Sequence, residues 1–306
     1  MMMNLNMKIP NSFFEEEIRD GYKVSSKMKK IWAVELDLLN EFISVCNKYN
    51  IKYFVAGGTI LGTVRHKGFV PWDDDIDIMM FRSEYDRLCK IASIEFKYPY
   101  FFQTEQSDPH SGRGHAQLRN SETTAILSNG YDIGRKINQG IFIDIFPLDF
   151  VPDDENEREI HLRQVVRSQS LYRMWLRFSI HPGFDFRSNG IRHLVKLLGY
   201  YIVPQKLAEK MYLKCYEKFE RLSQIYNEKF TSCVVMVPFY NNRWIWKRQD
   251  LEDAVYLPFE MLTVPVPVNF DRVLKTTYGD WRKFVVGSSE HGGLFFDVEK
   301  SYKFYL

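Results

Sequence analysis

Asp73, Asp74, Asp75 and Asp77 occupy four of five consecutive positions, with Ile76 among them and with Trp72 and Ile78-Met79-Met80 on either side. Carboxylates this close repel one another, and apolar neighbours that draw them out of water add a desolvation cost. A fold can keep such a run beside its core if something positive is held there, and a divalent cation relieves both costs at once. In an extended segment Asp73, Asp75 and Asp77 share one face and Asp74 takes the other. Three oxygen ligands on one face suit Mg²⁺ or Mn²⁺ acting on a phosphate. Solvated turn carboxylates are the plainer reading, against which the apolar flanks argue.

The surrounding pattern predicts strand, turn and helix. Residues 51–55 read as a short buried strand, ended by Gly57-Gly58, and Thr59 is placed to cap a helix over 60–66. Glycines let a backbone approach a ligand closely, and a helix N-terminus offers free N–H groups to an anion. Gly57, Gly58 and Thr59 are therefore candidate phosphate-binding residues. Arg65 and His66 lie further along the same helix. A guanidinium suits a diphosphate, but it would equally pair with the aspartates. His66 reads either as a helix C-terminal residue or as a base. The next strand is predicted at 75–79, and Ser83 is placed to cap a helix to about 94. Further strands are expected at 100–103 and 115–119, with Arg119 as a further phosphate clamp. The run 140–146 reads as a central strand interrupted by one acid, Asp144, which either joins the metal ligands or pairs with a buried arginine. Gly57, Gly58 and Gly62 make no G-x-G-x-x-G, and no P-loop lysine follows, so the common kinase fingerprints are absent.

The 306 residues suffice for a large core, and 45% are hydrophobic. With 41 basic and 39 acidic residues the chain lacks the charge to hold long nucleic acid. Cys46, Cys89, Cys215 and Cys233 are scattered without a Cys-x-x-Cys pair, which argues against a zinc site and a disulfide scaffold. The first twenty residues lack a signal-peptide apolar run, and no stretch approaches the roughly 20 apolar residues of a membrane span. A soluble, cytoplasmic protein is expected. After a charged break at 152–157 the pattern turns helical, with long helices at 158–180 and 208–227 joined by a shorter one at 191–202. Residues 191–206 combine basic and apolar positions, as in a helix lying on a membrane surface or a core helix with a basic edge. Strand-like runs return at 233–237 and 262–264, then a helix at 271–277. The chain is expected to be α+β: a mixed sheet flanked by helices, with a helical insertion at about 154–230. An extension (1–27) would precede the domain (28–290), and a tail (291–306) would follow.

The segment from Gly57-Gly58-Thr59 through Val64-Arg65-His66-Lys67-Gly68-Phe69-Val70-Pro71-Trp72 to Asp77 resembles the signature of the LicD family. The resemblance continues at Phe142-Ile143-Asp144-Ile145-Phe146-Pro147-Leu148-Asp149, at Leu257-Pro258-Phe259-Glu260, and at Tyr278-Gly279-Asp280-Trp281. It implies a nucleotidyltransferase-like fold and transfer of phosphocholine, or a polyol phosphate as in the fukutin-like group, from a CDP-activated donor to a glycan. It implies metal binding by Asp73, Asp75, Asp77 and Asp144, with Asp75, Asp77 and Asp144 catalytic. Implied partners are a CDP-activated alcohol and a glycan acceptor, either free or lipid-linked; beside the cytoplasmic expectation, peripheral association at the inner membrane face is the alternative location. Asp149 and Glu260 read as structural carboxylates, and Tyr278-Gly279-Asp280 as a helix-ending turn. A nucleotidyltransferase that releases pyrophosphate and a non-catalytic glycan-binding module remain the alternatives.

Overall fold

A hairpin, β1 (Glu17–Arg19) and β2 (Tyr22–Val24), turns through left-handed Asp20 and Gly21. Ser25 accepts from Met28 N and caps α1 (Ser26–Tyr49), which left-handed Asn50 terminates. The apolar stripe of α1 is buried at Ile31, Leu38, Leu39, Phe42 and Cys46. This computed structural model describes residues 5–127, 135–180, 191–229, 231–287 and 293–306, without the side chains of 191–194 and 196.

Next come β3 (Phe54–Val55), α2 (Gly57–His66), β4 (Asp77–Phe81), α3 (Arg82–Glu95), β5 (Tyr100–Gln103), β6 (Ala116–Asn120), β7 (Thr124–Leu127) and β8 (Ile141–Val151). Three helices follow, α4 (Glu155–Ser179), α5 (Ile191–Ile202) and α6 (Gln205–Ser223), in the segment where the sequence turns helical. The chain then returns to strands β9 (Cys233–Met236) and β10 (Ile245–Lys247), the hairpin β11 (Ala254–Phe259) and β12 (Leu262–Pro267), helix α7 (Phe270–Tyr278) and strand β13 (Leu294–Asp297). The architecture is α+β around a mixed sheet.

Strand β8 is the spine of that sheet, and all of its residues but Phe150 are buried. Strand β4 runs parallel along one edge, pairing Asp77 with Asp144 through Phe81 with Leu148. On the other edge β6 pairs antiparallel with Ile141 to Ile145, and β9 with Leu148 to Val151. Pro147 falls between those two partners, where a missing N–H breaks no ladder bond, and its carbonyl accepts from Val237 N at 3.0 Å. This handover lets the strand continue past the proline, well beyond the predicted end at 146.

Several local expectations change. Helix α2 begins at Gly57, not Ile60, and its N-cap is Ala56 without a side-chain bond. Thr59 is therefore not the cap; its hydroxyl accepts from Asp77 N at 2.8 Å and ties α2 to the start of β4. Ser83 does not cap α3, which starts one residue earlier at Arg82 with Phe81 in the cap position. Arg82 forms a two-pronged pair with Asp149, Nε to Oδ1 at 2.7 Å and Nη2 to Oδ2 at 2.8 Å. Asp149 has the opposite strand parity to Asp144, so it serves the other face of the sheet. The hairpin β1–β2, strand β11 that pairs with the expected run in β12, and strands β7 and β13, which pair with each other, were not anticipated. Helices α4 and α6 share a core of their own, Val165, Tyr172, Leu176, Tyr212, Tyr216 and Phe219 with Val237.

Candidate metal and phosphate site

The register of β4 on β8 creates the site. Asp77 and Asp144 are direct partners across a parallel pair, so both side chains leave the same face. Asp144 N donates to Ile76 O at 2.9 Å and fixes that alignment. Carboxylate oxygens of Asp75, Asp77 and Asp144 lie within 4.8 Å of one another, and so do those of Asp73, Asp74 and Asp75. Asp75 belongs to both groups. Strand β4 starts at Asp77, two residues later than expected, so Asp73 to Asp75 lie in irregular backbone after the Pro71-Trp72 turn and strand alternation does not govern them. That is why Asp74, which alternation turns away, is buried and joins its neighbours. The segment is pinned by Trp32 Nε1, which donates to Asp73 O at 3.0 Å.

The glycines upstream have a steric reason. Gly57 is left-handed at φ +48°, and a Cβ there would overlap the Asp77 carboxylate; one on Gly58 would overlap that of Asp73. The bare backbone at the start of α2 lets both acids lie against it. Gly58 lines the cavity described below, while Gly57 supports it from behind.

Strand β6 supplies what the sequence reading missed. Gln117 Nε2 donates to Asp144 Oδ1 at 2.6 Å, and His115 Nε2 lies 2.9 Å from the same oxygen. Arg119, expected as a phosphate clamp, is instead fully buried and does not line the cavity. Its Nη2 donates to Gln117 Oε1, its Nε to Gln103 Oε1 at 2.6 Å and its Nη1 to Gly140 O at 2.7 Å. Arg119 therefore orients Gln117, which orients Asp144. Polar Gln117 and Arg119 on one face of the wholly buried β6, with His115 just before the strand, were the available signal.

A sixth carboxyl sits close by. Glu35 of α1 is buried, and one of its oxygens, Oε2, has no hydrogen-bond partner among the described residues. Burial foremost, then the charges of Asp75, Asp74, Asp73 and Asp77, raises its pKa well above the ordinary carboxylate range. So many acids with an orphaned buried oxygen at their back fit a divalent cation with oxygen ligands.

Above the acids lies a cavity of about 440 Å³. Arg65 and Lys283 bring positive charge to it, and Phe146, Phe239, Trp244 and Trp281 form an aromatic wall. Phe239 packs 5.4 Å from Phe146 and 5.2 Å from Trp244, centroid to centroid. Arg65 stacks over Phe284 at 5.0 Å and donates weakly to Trp281 O at 3.4 Å. Tyr278 and Asp280, the turn after α7, also reach the cavity. His66 does not. Its Nδ1 lies 2.5 Å from Asp20 Oδ2, and burial pushes its pKa below the ordinary histidine value. Glu260 has a structural post: it accepts from Arg19 Nη1 at 2.6 Å and from Phe69 N at 3.1 Å, bracing the loop before the acidic run. His291, which the sequence leaves unplaced, lies outside the described residues.

Known proteins resemble the chain along this stretch. Residues 50–170 match the family described as LicD/FKTN/FKRP, nucleotidyltransferase domain. Lipopolysaccharide cholinephosphotransferase LicD of Haemophilus influenzae is 36% identical over 163 residues, 49% of this chain and 58% of that protein. Uncharacterized proteins of Rickettsia prowazekii and Rickettsia typhi are 36% identical over 78 residues and 43% identical over 58. Those matches cover 25% and 19% of this chain, and 27% and 18% of the rickettsial proteins. The chain thus spans less than two thirds of the length of each of these relatives.

Proposed function

We propose that the chain, whose residues 50–170 match the LicD/FKTN/FKRP nucleotidyltransferase-domain family, is a LicD-type, metal-dependent transferase of substituted phosphate groups. It moves phosphocholine or a polyol phosphate from a CDP-activated donor to a hydroxyl of a cell-surface glycan or its lipid-linked precursor, releasing CMP. The observation that carries this reading is the juxtaposition of Asp75, Asp77 and Asp144 beneath a cavity that also holds two cations.

Asp73, Asp75, Asp77 and Asp144 would hold Mg²⁺ or Mn²⁺. The bound ion would neutralise the donor diphosphate and stabilise the departing CMP. Arg65 and Lys283 add charge for the same diphosphate, and Gly58 leaves room at the start of α2. Gln117 and His115 keep Asp144 aimed at the cavity. One of the aspartates takes the proton of the attacking hydroxyl. Positioning and charge neutralisation dominate such displacements at phosphorus. The wall of Phe146, Phe239 and Trp244 favours phosphocholine over a polyol phosphate, because a trimethylammonium is attracted to aromatic faces and a polyol is not.

The test is CMP release on incubation with Mg²⁺ and CDP-choline, CDP-ribitol or CDP-glycerol, with and without a glycan acceptor. Turnover of CDP-choline that is abolished in Asp75→Ala/Asp77→Ala supports the assignment. Retained CMP release in that double variant overturns it, and pyrophosphate release from CTP would assign the chain to nucleotidyl transfer.

A further inference from the structure

We propose that the elbow between α5 and α6 docks on the surface of an anionic lipid bilayer. The apolar stripe of an amphipathic helix in a soluble protein ordinarily faces a core. In α5 the stripe faces water. Val195, Leu198 and Ile202, at i, i+3 and i+7, are 53%, 48% and 72% exposed, and neighbouring Tyr201 is 70% exposed. Leu207, at the start of α6, extends the patch at 46%. Single exposed apolar residues are commonplace, but five within thirteen positions form a surface.

The stripe is not left open by a misdirected helix, because α5 is held by its other side. Gly199 lies so close to Phe178 of α4 that a Cβ would overlap the ring. Gln205 Nε2 donates to Tyr200 O at 2.8 Å and to Phe178 O at 3.3 Å, which fixes the turn between the helices. The elbow is therefore a built feature with its apolar side turned outward.

Charge selects the occupant. Residues 191–214 contain Arg192, Lys196, Lys206, Lys210 and Lys214 against one acid, Glu209, with His193 as the remaining titratable imidazole. Lys206, Lys210 and Lys214 line a shallow groove on α6 together with Glu209, Glu217 and Leu213. A second copy of the chain would bring two basic rims together, which opposes dimerisation through this face. An anionic headgroup layer meets the basic rim while the stripe, about 10 Å long from Val195 to Ile202, enters the acyl boundary.

The full-length protein is sedimented with vesicles of phosphatidylcholine alone and with vesicles containing phosphatidylglycerol. Binding to the anionic vesicles, weakened by high salt, is expected. Leu198→Glu/Ile202→Glu should lower the partition coefficient about tenfold or more, since two apolar insertions are lost. Lys206→Gln/Lys210→Gln should lower it for anionic vesicles alone, and unchanged unfolding midpoints would exclude misfolding as the cause. Wild-type protein that stays in the supernatant overturns the proposal. So does equal binding by both variants, or a dimer that ignores vesicles and becomes monomeric in Leu198→Glu/Ile202→Glu.

Discussion

Replacing Asp75 by Asn should stabilise the metal-free protein while removing its response to metal. Asp75 is the member shared by both acidic groups, so its carboxylate faces Asp73 and Asp74 on one side and Asp77 and Asp144 on the other. Ligand oxygens within each group are no more than 4.8 Å apart. At an effective dielectric constant of about 20, two unit charges at that distance repel by about 3.5 kcal/mol. Water at the cavity mouth and counter-ions reduce the gross figure, and Asn keeps the shape and one acceptor oxygen. A net gain of about 1–2 kcal/mol follows, or roughly 2–6 °C in unfolding midpoint for a domain of this order of size. Wild-type protein should gain about 2.7 kcal/mol when Mg²⁺ stands at a hundred times its Kd, and the variant should gain little. Thermal unfolding followed by circular dichroism, in EDTA and across a Mg²⁺ titration, measures both effects. A variant that is less stable than wild type in EDTA, or that keeps the full Mg²⁺ response, would refute the claim that these carboxylates form a repulsive cation site.

Other perturbations probe the supports. Glu35 takes up a proton on folding because its folded pKa lies above the unfolded value near 4.5, so its contribution is full below that value and is lost as pH rises through the folded one. Stability of the metal-free protein should therefore fall with rising pH by up to about 1.4 kcal/mol per unit within that window, and Glu35→Gln should flatten the profile measured by denaturant unfolding. Gln117→Leu strips Arg119 Nη2 of its acceptor and Asp144 of a donor. It should cost about 1.5–3 kcal/mol by urea unfolding and depress CMP release, although Gln117 does not line the cavity. Arg82→Ala leaves the Asp149 carboxylate buried without its guanidinium and should cost about 3–5 kcal/mol by the same assay, with metal affinity unchanged.

Residue pattern made the core of the site legible wherever local chemistry leaves a mark. An acidic run between apolar segments, a Gly-Gly turn and one acid in the apolar strand around Asp144 each violate a local preference, and each violation pointed to a ligand. Where the cause is a neighbour far along the chain, the pattern was silent or misleading. Thr59 has the composition of a helix cap, but it bonds Asp77 N because α2 abuts β4. Arg119 has the chemistry of a phosphate clamp, but the strand pairing places it inside the sheet layer with Gln103 and Gln117. His66 follows the glycines in sequence, and the N-terminal hairpin claims it through Asp20.

The sequence by itself determined that carboxylates would be crowded at Asp73–Asp77, since adjacent residues set that repulsion and desolvation. It also determined the α+β class, through periodicities that are local by nature. Only the tertiary structure decided which acids meet. Strand register sets Asp77 against Asp144, irregular backbone in place of a strand lets Asp74 turn inward, and the packing of α7 carries Tyr278 and Asp280 to a cavity about two hundred residues upstream. Those placements follow from burying β8 on both edges, a constraint spread over contacts that no window of sequence contains.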